Sequence, residues 1–185
     1  MNKIEFLKNL EINDILKFGE FTLASGGKSD FYIDLRIIPY NPVFFSTVTK
    51  QLAEKFENEL EFDVICGIPM AGMPFATLIA YFLKKPLVFI RKSPKDHGLN
   101  KLIEGGDVKG KKVLIIDDLV STGFTKEFAI DELRKEGALV DTLGVILDRR
   151  ENESDSKVWE EAKKVKVACL FKLSKEEILA FKKSK

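Results

Sequence analysis

Residues 113–125, VLIIDDLVSTGFT, predict a buried strand, a short loop and the start of a helix. The strand predicted at Lys112–Ile116 ends in four apolar residues that lead into the adjacent carboxylates Asp117 and Asp118, and Gly123 precedes a segment with helical spacing. Apolar strands without polar alternation are typical of parallel sheets that are covered by helices on both faces. This stretch therefore predicts an α/β fold.

The sequence around this stretch repeats the alternation of strands and helices. We predict further strands at residues 63–67, 86–90, 139–147 and 166–170, and helices at residues 2–17, 72–83 and 124–136, after Asn41-Pro42, and from Ser174 onward. Two strand-like pieces at residues 20–23 and 31–35 flank Gly26-Gly27. The pattern predicts a doubly wound, mostly parallel sheet flanked by helices, in which ligands bind beyond the carboxyl ends of the strands.

Composition narrows the class of protein. The 30 basic and 29 acidic residues nearly cancel, which argues against a nucleic-acid binder that relies on bulk charge. Cys66 and Cys169 lie far apart in apolar runs, so we expect buried thiols and a reducing cytoplasm. The N-terminus lacks a signal-peptide core and no apolar run approaches the length of a membrane span, so we expect no membrane partner.

The residues between the predicted strand and helix predict a phosphate site. The loop places Ser121, Thr122 and backbone N–H groups at a helix N-terminus, where anions bind. Two carboxylates would repel a bare phosphate, but they suit sugar hydroxyls or a bridging metal. A ribose with a 5-phosphate would match both the carboxylates, through its hydroxyls, and the phosphate site at the helix start. The alternative is a helix start that these side chains merely cap, which would explain one or two of the residues.

A long basic loop follows the strand at residues 86–90. Residues 91–111, RKSPKDHGLNKLIEGGDVKGK, show no strong helix or strand signal, and glycines at 98, 105 and 106 could act as hinges. A cationic lid of this kind suits a reaction that expels a diphosphate, because the leaving group gains negative charge. The alternative is a solvated, disordered loop.

These motifs together resemble the orotate phosphoribosyltransferases of the type I phosphoribosyltransferase family. The resemblance runs from about Phe18 to Arg149 and includes FGEFTLASGGKSDFYIDLR, CGIPMAGMPFAT, RKSPKDHG with KLIEG, VLIIDDLVSTGFT and LDRRENE. It implies transfer of the phosphoribosyl group of phosphoribosyl diphosphate (PRPP) to orotate, in pyrimidine nucleotide biosynthesis. It also implies Mg²⁺ carried by PRPP, with Asp117 and Asp118 as the nearby protein groups, and a homodimer in which the loop of one subunit reaches the other active site.

The resemblance also implies a division of the chain and a role for each motif. Residues 1–41 would form a helix and a hood over the base, and residues 42–185 a PRPP-binding core with a flexible catalytic loop at 91–110. The PRPP site would comprise Arg91, Lys92, Lys95, His97, Asp117, Asp118, Leu119, Val120, Ser121, Thr122, Gly123, Phe124 and Thr125. Of these, the catalytic residues would be Lys95, His97, Asp117 and Asp118.

Two further motifs would complete the site. Pro69, Met70, Ala71 and Gly72 would form the pyrophosphate turn, where Gly67 and Gly72 are expected to adopt unusual backbone angles. Orotate would contact Phe31, Tyr32, Ser121 and Arg149. The alternative for the aromatic residues is ordinary core packing, and for Arg149 an ion pair with Glu151 or Glu153.

The sequence departs from the family pattern at three points and leaves other functions open. Many relatives carry lysine at the position of Ala24, some bacterial relatives carry lysine at that of Ala71, and Arg150-Glu151-Asn152 lacks the glycine that often follows the orotate arginine. Lys28 is a candidate to replace the charge missing at Ala24. The alternatives are a phosphoribosyltransferase for another base, such as a purine, a PRPP-binding regulator without catalysis, and a relative that binds PRPP without turnover.

Overall fold

The computed structural model describes residues 1–22, 26–91, 102–121 and 124–184. A six-stranded sheet forms its centre, with the strand order β5-β4-β3-β6-β7-β8. Its strands are β3 (Val64–Gly67), β4 (Leu87–Ile90), β5 (Ile103–Glu104), β6 (Lys112–Val120), β7 (Leu139–Asp148) and β8 (Lys166–Lys172). All neighbours pair in parallel except β5, which is antiparallel to β4. The prediction of a mostly parallel α/β sheet is confirmed.

Helices cover both faces of this sheet. They are α1 (Lys3–Ile12), α2 (Pro42–Glu59), α3 (Gly72–Leu83), α4 (Phe124–Lys135), α5 (Glu153–Lys163) and α6 (Lys175–Lys183). Side chains alternate along the strands, so Leu114 joins a cluster with α2 and α3, whereas Val113 and Ile115 join a second cluster with α4. The sheet is therefore buried on both sides. Among the described residues, no helix is both long and apolar enough to cross a membrane.

The N-terminal segment adds a small hairpin to the same core. Strands β1 (Leu16–Thr22) and β2 (Lys28–Ile33) pair antiparallel as a separate sheet, and a 3-10 helix at Leu35–Tyr40 connects them to α2. Phe6 of α1 stacks on Phe171 of β8 with ring centroids 4.2 Å apart. The hairpin and α1 therefore share one hydrophobic cluster with the main sheet.

The predicted helix at residues 2–17 is wrong beyond Ile12. Helix α1 ends at Ile12, Asp14 has a φ of 58°, and Ile15 turns inward and is buried. Leu16 then begins β1, so the hairpin strands are shifted from the predicted 20–23 and 31–35. Burial of Ile15 and Leu16 outweighs the helical pattern that precedes them.

The second half of the predicted loop at 91–110 contains a strand that the sequence did not predict. Ile103–Glu104 pair with β4, and Val108 is buried in the core. Gly105 is not a free hinge, since a Cβ there would lie 2.7 Å from the carbonyl oxygen of Leu87. Ile103 and Val108 therefore pack against the sheet, whereas residues 105–107, 109 and 110 are exposed.

Candidate active site

The strand order reverses direction between β3 and β6, and this places a crevice at their carboxyl ends. Chain order runs from β3 outward to β4 on one side, and from β6 outward to β7 and β8 on the other. Such a switch point is the usual ligand site of an open α/β sheet. The turn after β3 and the aspartates of β6 meet there.

The turn after β3 packs directly on the backbone of β6. The N–H of Ile68 donates to the carbonyl of Ile116 at 3.0 Å, and a Cβ on Gly72 would lie 2.2 Å from the same oxygen. Neither Gly67 nor Gly72 has the positive φ that the sequence led us to expect. Both glycines are required because neighbouring atoms occupy the space of a side chain; for Gly67 the nearest is Met73 Sδ, at 2.9 Å.

The predicted pyrophosphate turn lies at this edge. The peptide bond between Pro69 and Met70 is cis, and Met70 is exposed. The N–H of Gly72 donates to the carbonyl of Ile68 at 3.0 Å, which closes the turn. Helix α3 begins at Gly72, so its N-terminal amides lie beside β6.

Asp117 and Asp118 lie within β6, which continues to Val120 beyond the predicted end at Ile116. Asp117 is buried and accepts a charged hydrogen bond from Nζ of Lys126, which is also buried, in the first turn of α4. Its other oxygen accepts from the N–H of Asp118 at 2.9 Å. Asp117 is therefore a compensated buried charge.

The negative charge of Asp118 is less well compensated than that of Asp117. One carboxylate oxygen accepts from the N–H of Leu119 at 2.7 Å, and no other described residue donates to the side chain. Burial, and next the charge of Asp117, raise the pKa of Asp118 to about 6. This carboxylate is the acceptor that the site offers to a ligand.

An arginine that the sequence analysis missed lies near Asp118. Arg36 binds Asp34 through Nε at 2.6 Å and through a terminal nitrogen at 2.8 Å, and it contacts the hydroxyl of Tyr32 at 3.4 Å. Hydrogen bonds and the charge of Asp34, with a smaller contribution from Asp118, raise the pKa of Arg36. The spacing Asp-x-Arg, with Asp34 as the cap and Arg36 in the first turn of the 3-10 helix, was the available signal.

Arg149 comes directly after β7 at the same edge of the sheet. Its N–H donates to the carbonyl of Val120 at 2.9 Å, so it lies beside Ser121, which is exposed. Its guanidinium carbon lies 4.7 Å from the ring centre of Phe31. Phe31 is 1% exposed and belongs to the core, whereas Tyr32 is partly exposed.

Within the described residues, Arg149 forms no salt bridge with either acidic residue of the alternative, although the charge of Glu151 acts on it. Glu151 accepts from the backbone N–H of Lys175 at 3.2 Å, and Glu153 pairs with Lys172 at 3.0 Å. Nε of Arg149 is buried without a hydrogen bond, and burial lowers the pKa of this arginine against the opposing effect of the charge of Glu151. The guanidinium is thus held in place without a salt bridge to a described carboxylate.

Arg91 marks the base of the predicted lid. Its N–H donates to the carbonyl of Leu102 at 2.8 Å, and its side chain lies 3.8 Å from Glu104. The residues on either side of 92–101 are therefore adjacent, at the carboxyl end of β4. Lys92, Lys95, His97, Thr122 and Gly123 lie outside the described residues, as do the side chains of Phe124 and Thr125.

Comparisons with known proteins place the chain in a family. The phosphoribosyl transferase domain family matches residues 37–170. The orotate phosphoribosyltransferase of Sulfurisphaera tokodaii is 37% identical over 179 residues, which cover 96% of this chain and 88% of that protein. The chain belongs to the orotate phosphoribosyltransferases.

Solved structures of this family share the fold. The orotate phosphoribosyltransferase of Aeropyrum pernix has a TM-score of 0.82 at 29% identity and covers 97% of this chain and 99% of its own. The UMP synthase of Leishmania donovani has a TM-score of 0.83 at 33% identity, and the match covers all of this chain but 39% of that longer one.

Proposed function

We infer that this orotate phosphoribosyltransferase transfers the 5-phosphoribosyl group of PRPP to orotate, giving orotidine 5-phosphate and pyrophosphate in pyrimidine nucleotide biosynthesis. The observation that carries this inference is the pair Asp117 and Asp118 at the switch point of the sheet, in a chain of this family. Ribose hydroxyls can donate to the carboxylate of Asp118, the less compensated of the two. The 5-phosphate would lie at the start of α4, and the diphosphate at residues 69–72.

Orotate would lie between Arg149 and Tyr32. A guanidinium that forms no salt bridge with a described carboxylate is suited to the orotate carboxylate, because planar, paired hydrogen bonds can form between them. The ring of Phe31 packs against the guanidinium of Arg149 and is buried, so Phe31 would not contact the base. Tyr32 is the remaining candidate to contact the flat pyrimidine ring.

The protein would act mainly by positioning groups and neutralising charge. The C1–O bond of PRPP breaks, pyrophosphate leaves with the electron pair, and anionic N1 of orotate bonds to C1 from the opposite face. The carboxylates of Asp117 and Asp118 stabilise the cationic sugar. Lys95 and His97, carried by the segment between Arg91 and Leu102, neutralise the leaving group.

Mg²⁺ is proposed as the cofactor, bound mostly by its substrate. Among the described residues, no group of three or more carboxylates, thiols or imidazoles could hold a metal ion. Magnesium commonly keeps its waters and binds one or two carboxylates together with substrate phosphates. Asp118 fits that role, and Mg²⁺ would supply charge neutralisation on the diphosphate.

We also propose a cytoplasmic homodimer in which each loop reaches the neighbouring site. Tyr40 and Val43 expose apolar side chains at the start of α2, which favours a protein partner. Cys66 and Cys169 are free, as suits a reducing compartment.

Loss of orotate absorbance after adding PRPP and Mg²⁺ to the pure protein tests the function. We expect turnover with orotate and none with adenine or hypoxanthine. Turnover with a purine alone would identify a salvage enzyme, whereas PRPP binding without turnover of any base would identify a regulator or an inactive relative.

A further inference from the structure

Lys126 occupies a position that is unfavourable for a lysine in two respects. It lies in the first turn of α4, where the helix dipole disfavours a positive charge. Its side chain is only 10% exposed, and a buried ammonium group is costly without a compensating anion. Asp117 supplies that anion, because its carboxylate accepts a charged hydrogen bond from Nζ of Lys126.

This ion pair joins a strand to a helix across the loop between them. Asp117 alternates along β6 with Val113 and Ile115, so it points to the side of the sheet that α4 covers. Later turns of α4 pack on that side through three buried apolar residues, Ala129, Ile130 and Leu133. The ion pair adds a contact at the first turn, so α4 is attached to β6 at the end where its backbone amides are free.

The proposed sugar site depends on the spacing between these two elements. The ribose hydroxyls would contact the carboxylates at the end of β6, and the 5-phosphate would lie at the amides that begin α4. The covalent structure of the sugar sets the distance between its hydroxyls and its phosphate, so the strand end and the helix start must keep a matching distance. A displacement of about 1 Å in such a site can lower activity about 100-fold.

We propose that Lys126 is a positioning residue that holds the start of α4 against Asp117 and thereby sets the spacing between the ribose and 5-phosphate subsites. This inference deepens the proposed function and rests on it. Lys126 acts through Asp117 and not through a substrate atom. The turn at residues 69–72 packs on the backbone of β6 through Gly72 and is not part of the ion pair, so a pyrophosphate bound there does not depend on Lys126.

The reverse reaction tests this proposal, because its two substrates divide between the subsites. Orotidine 5-phosphate carries the ribose and the 5-phosphate, whereas pyrophosphate carries neither. In steady-state kinetics with Mg²⁺, we expect Lys126→Met to raise the KM for orotidine 5-phosphate about tenfold or more and to change the KM for pyrophosphate less than about threefold. Loss of a positive charge alone would raise both KM values, since both substrates are anions.

A second comparison keeps the test decisive if Lys126→Met does not fold. Asp117→Asn/Lys126→Met leaves no unpaired buried carboxylate, and Asp117→Asn alone keeps an oxygen to which Nζ of Lys126 can donate. The two variants share any loss of a direct contact between Asp117 and ribose. We expect the KM for orotidine 5-phosphate to be at least about threefold higher in the double variant than in Asp117→Asn, with equal KM values for pyrophosphate.

Lys135→Met is the matched control. Lys135 lies in the last turn of the same helix, its side chain is 68% exposed, and it pairs with Glu132 of α4. The substitution removes the same charge from the same helix without breaking a contact to β6. Both KM values should therefore stay at the wild-type level.

The outcomes separate this inference from the proposed function. If the wild-type protein forms no orotate from orotidine 5-phosphate and pyrophosphate, the proposed function fails, and the inference with it. If the wild type is active but the loss of Lys126 leaves the KM for orotidine 5-phosphate unchanged in both comparisons, or raises both KM values equally, the inference alone fails. A matching rise in Lys135→Met would also overturn it, because bulk charge would then be the cause.

Discussion

Asp117 and Asp118 are neighbours in one strand, yet their charges are balanced differently. Lys126 compensates Asp117, whereas Asp118 is buried beside that pair with one backbone donor. The raised pKa of Asp118, about 6, means that the folded state holds this proton at pH values where the unfolded state has released it. The contribution of protonated Asp118 to the free energy of unfolding is therefore fully present below about pH 4. This contribution is lost as the pH rises through 6.

Asp118→Asn should consequently increase stability while it weakens substrate binding. At pH 8 we expect the free energy of unfolding to rise by about 2–3 kcal/mol, because the buried charge is removed. The KM for PRPP should rise, since a ribose acceptor is lost. Urea denaturation at pH 8 and pH 4 measures the first effect, and equal stabilisation at both pH values would refute the electrostatic explanation.

Binding of PRPP should also depend on pH through Asp118. Below about pH 6 the carboxylate becomes protonated, so we expect the KM for PRPP to rise as the pH falls through this value. PRPP itself titrates nearby, and Asp118→Asn supplies the control. If the variant shows the same inflection as the wild type, the inflection belongs to the substrate.

Lys126 should contribute strongly to stability through Asp117. Lys126→Met leaves a buried carboxylate without its counter-ion, and we expect a loss of about 3 kcal/mol in the free energy of unfolding. Asp117→Asn/Lys126→Met removes both charges and should lose less than half of that. If the single and the double variant lose the same free energy of unfolding in thermal or urea denaturation, the broken ion pair is not the cause.

At the scale of elements, Gly72 determines how closely α3 approaches β6. Gly72→Ala places a methyl group against the carbonyl oxygen of Ile116, so helix and turn must move apart. We expect a loss of about 2 kcal/mol in the free energy of unfolding and a higher KM for PRPP. Gly106→Ala is the control, since a Cβ there meets only Val88, at 4.0 Å, and should change stability by less than about 0.5 kcal/mol.

The strands and helices that were predicted well share a strong hydrophobic pattern. Helix α3 has its predicted bounds, and α6 follows Ser174 as predicted, where Ser174 and Glu177 form a capping box. Helix α5 was missed because residues 153–163 are mostly polar, although Asn152 caps their N-terminus. The short strand β5 was missed because two residues carry no periodicity, and only pairing with β4 defines them.

The site was predictable as a set of motifs but not as a network of charges. Asp117, Asp118 and Arg149 lie at one edge of the sheet because the order of strands brings their ends together. The pairs Asp117–Lys126 and Asp148–Arg150 depend on side-chain burial in three dimensions, which spacing alone does not reveal. Phe31 illustrates the same limit, because an aromatic residue in a strand can face either the core or a ligand.

At the scale of the whole molecule, the proposed dimer makes a prediction about mixed subunits. If the lid of one subunit serves the other active site, Lys95→Ala and Asp117→Asn/Asp118→Asn impair different sites of a hybrid. At a PRPP concentration where neither variant alone turns over, mixing the two under exchange should restore about a quarter of wild-type activity, because half of the dimers are hybrids with one intact site. No recovery, in a mixture whose hybrids are verified by mass, would contradict a shared site.

The central claim is that the carboxyl ends of β3 and β6 seat the phosphorylated sugar of PRPP. Calorimetric titration of PRPP with Mg²⁺ into the wild-type protein and into Asp117→Asn/Asp118→Asn tests it most directly. We predict saturable binding to the wild type and a loss of at least about tenfold in affinity in the folded double variant. Equal affinity for both proteins, or no binding to either, would contradict the claim.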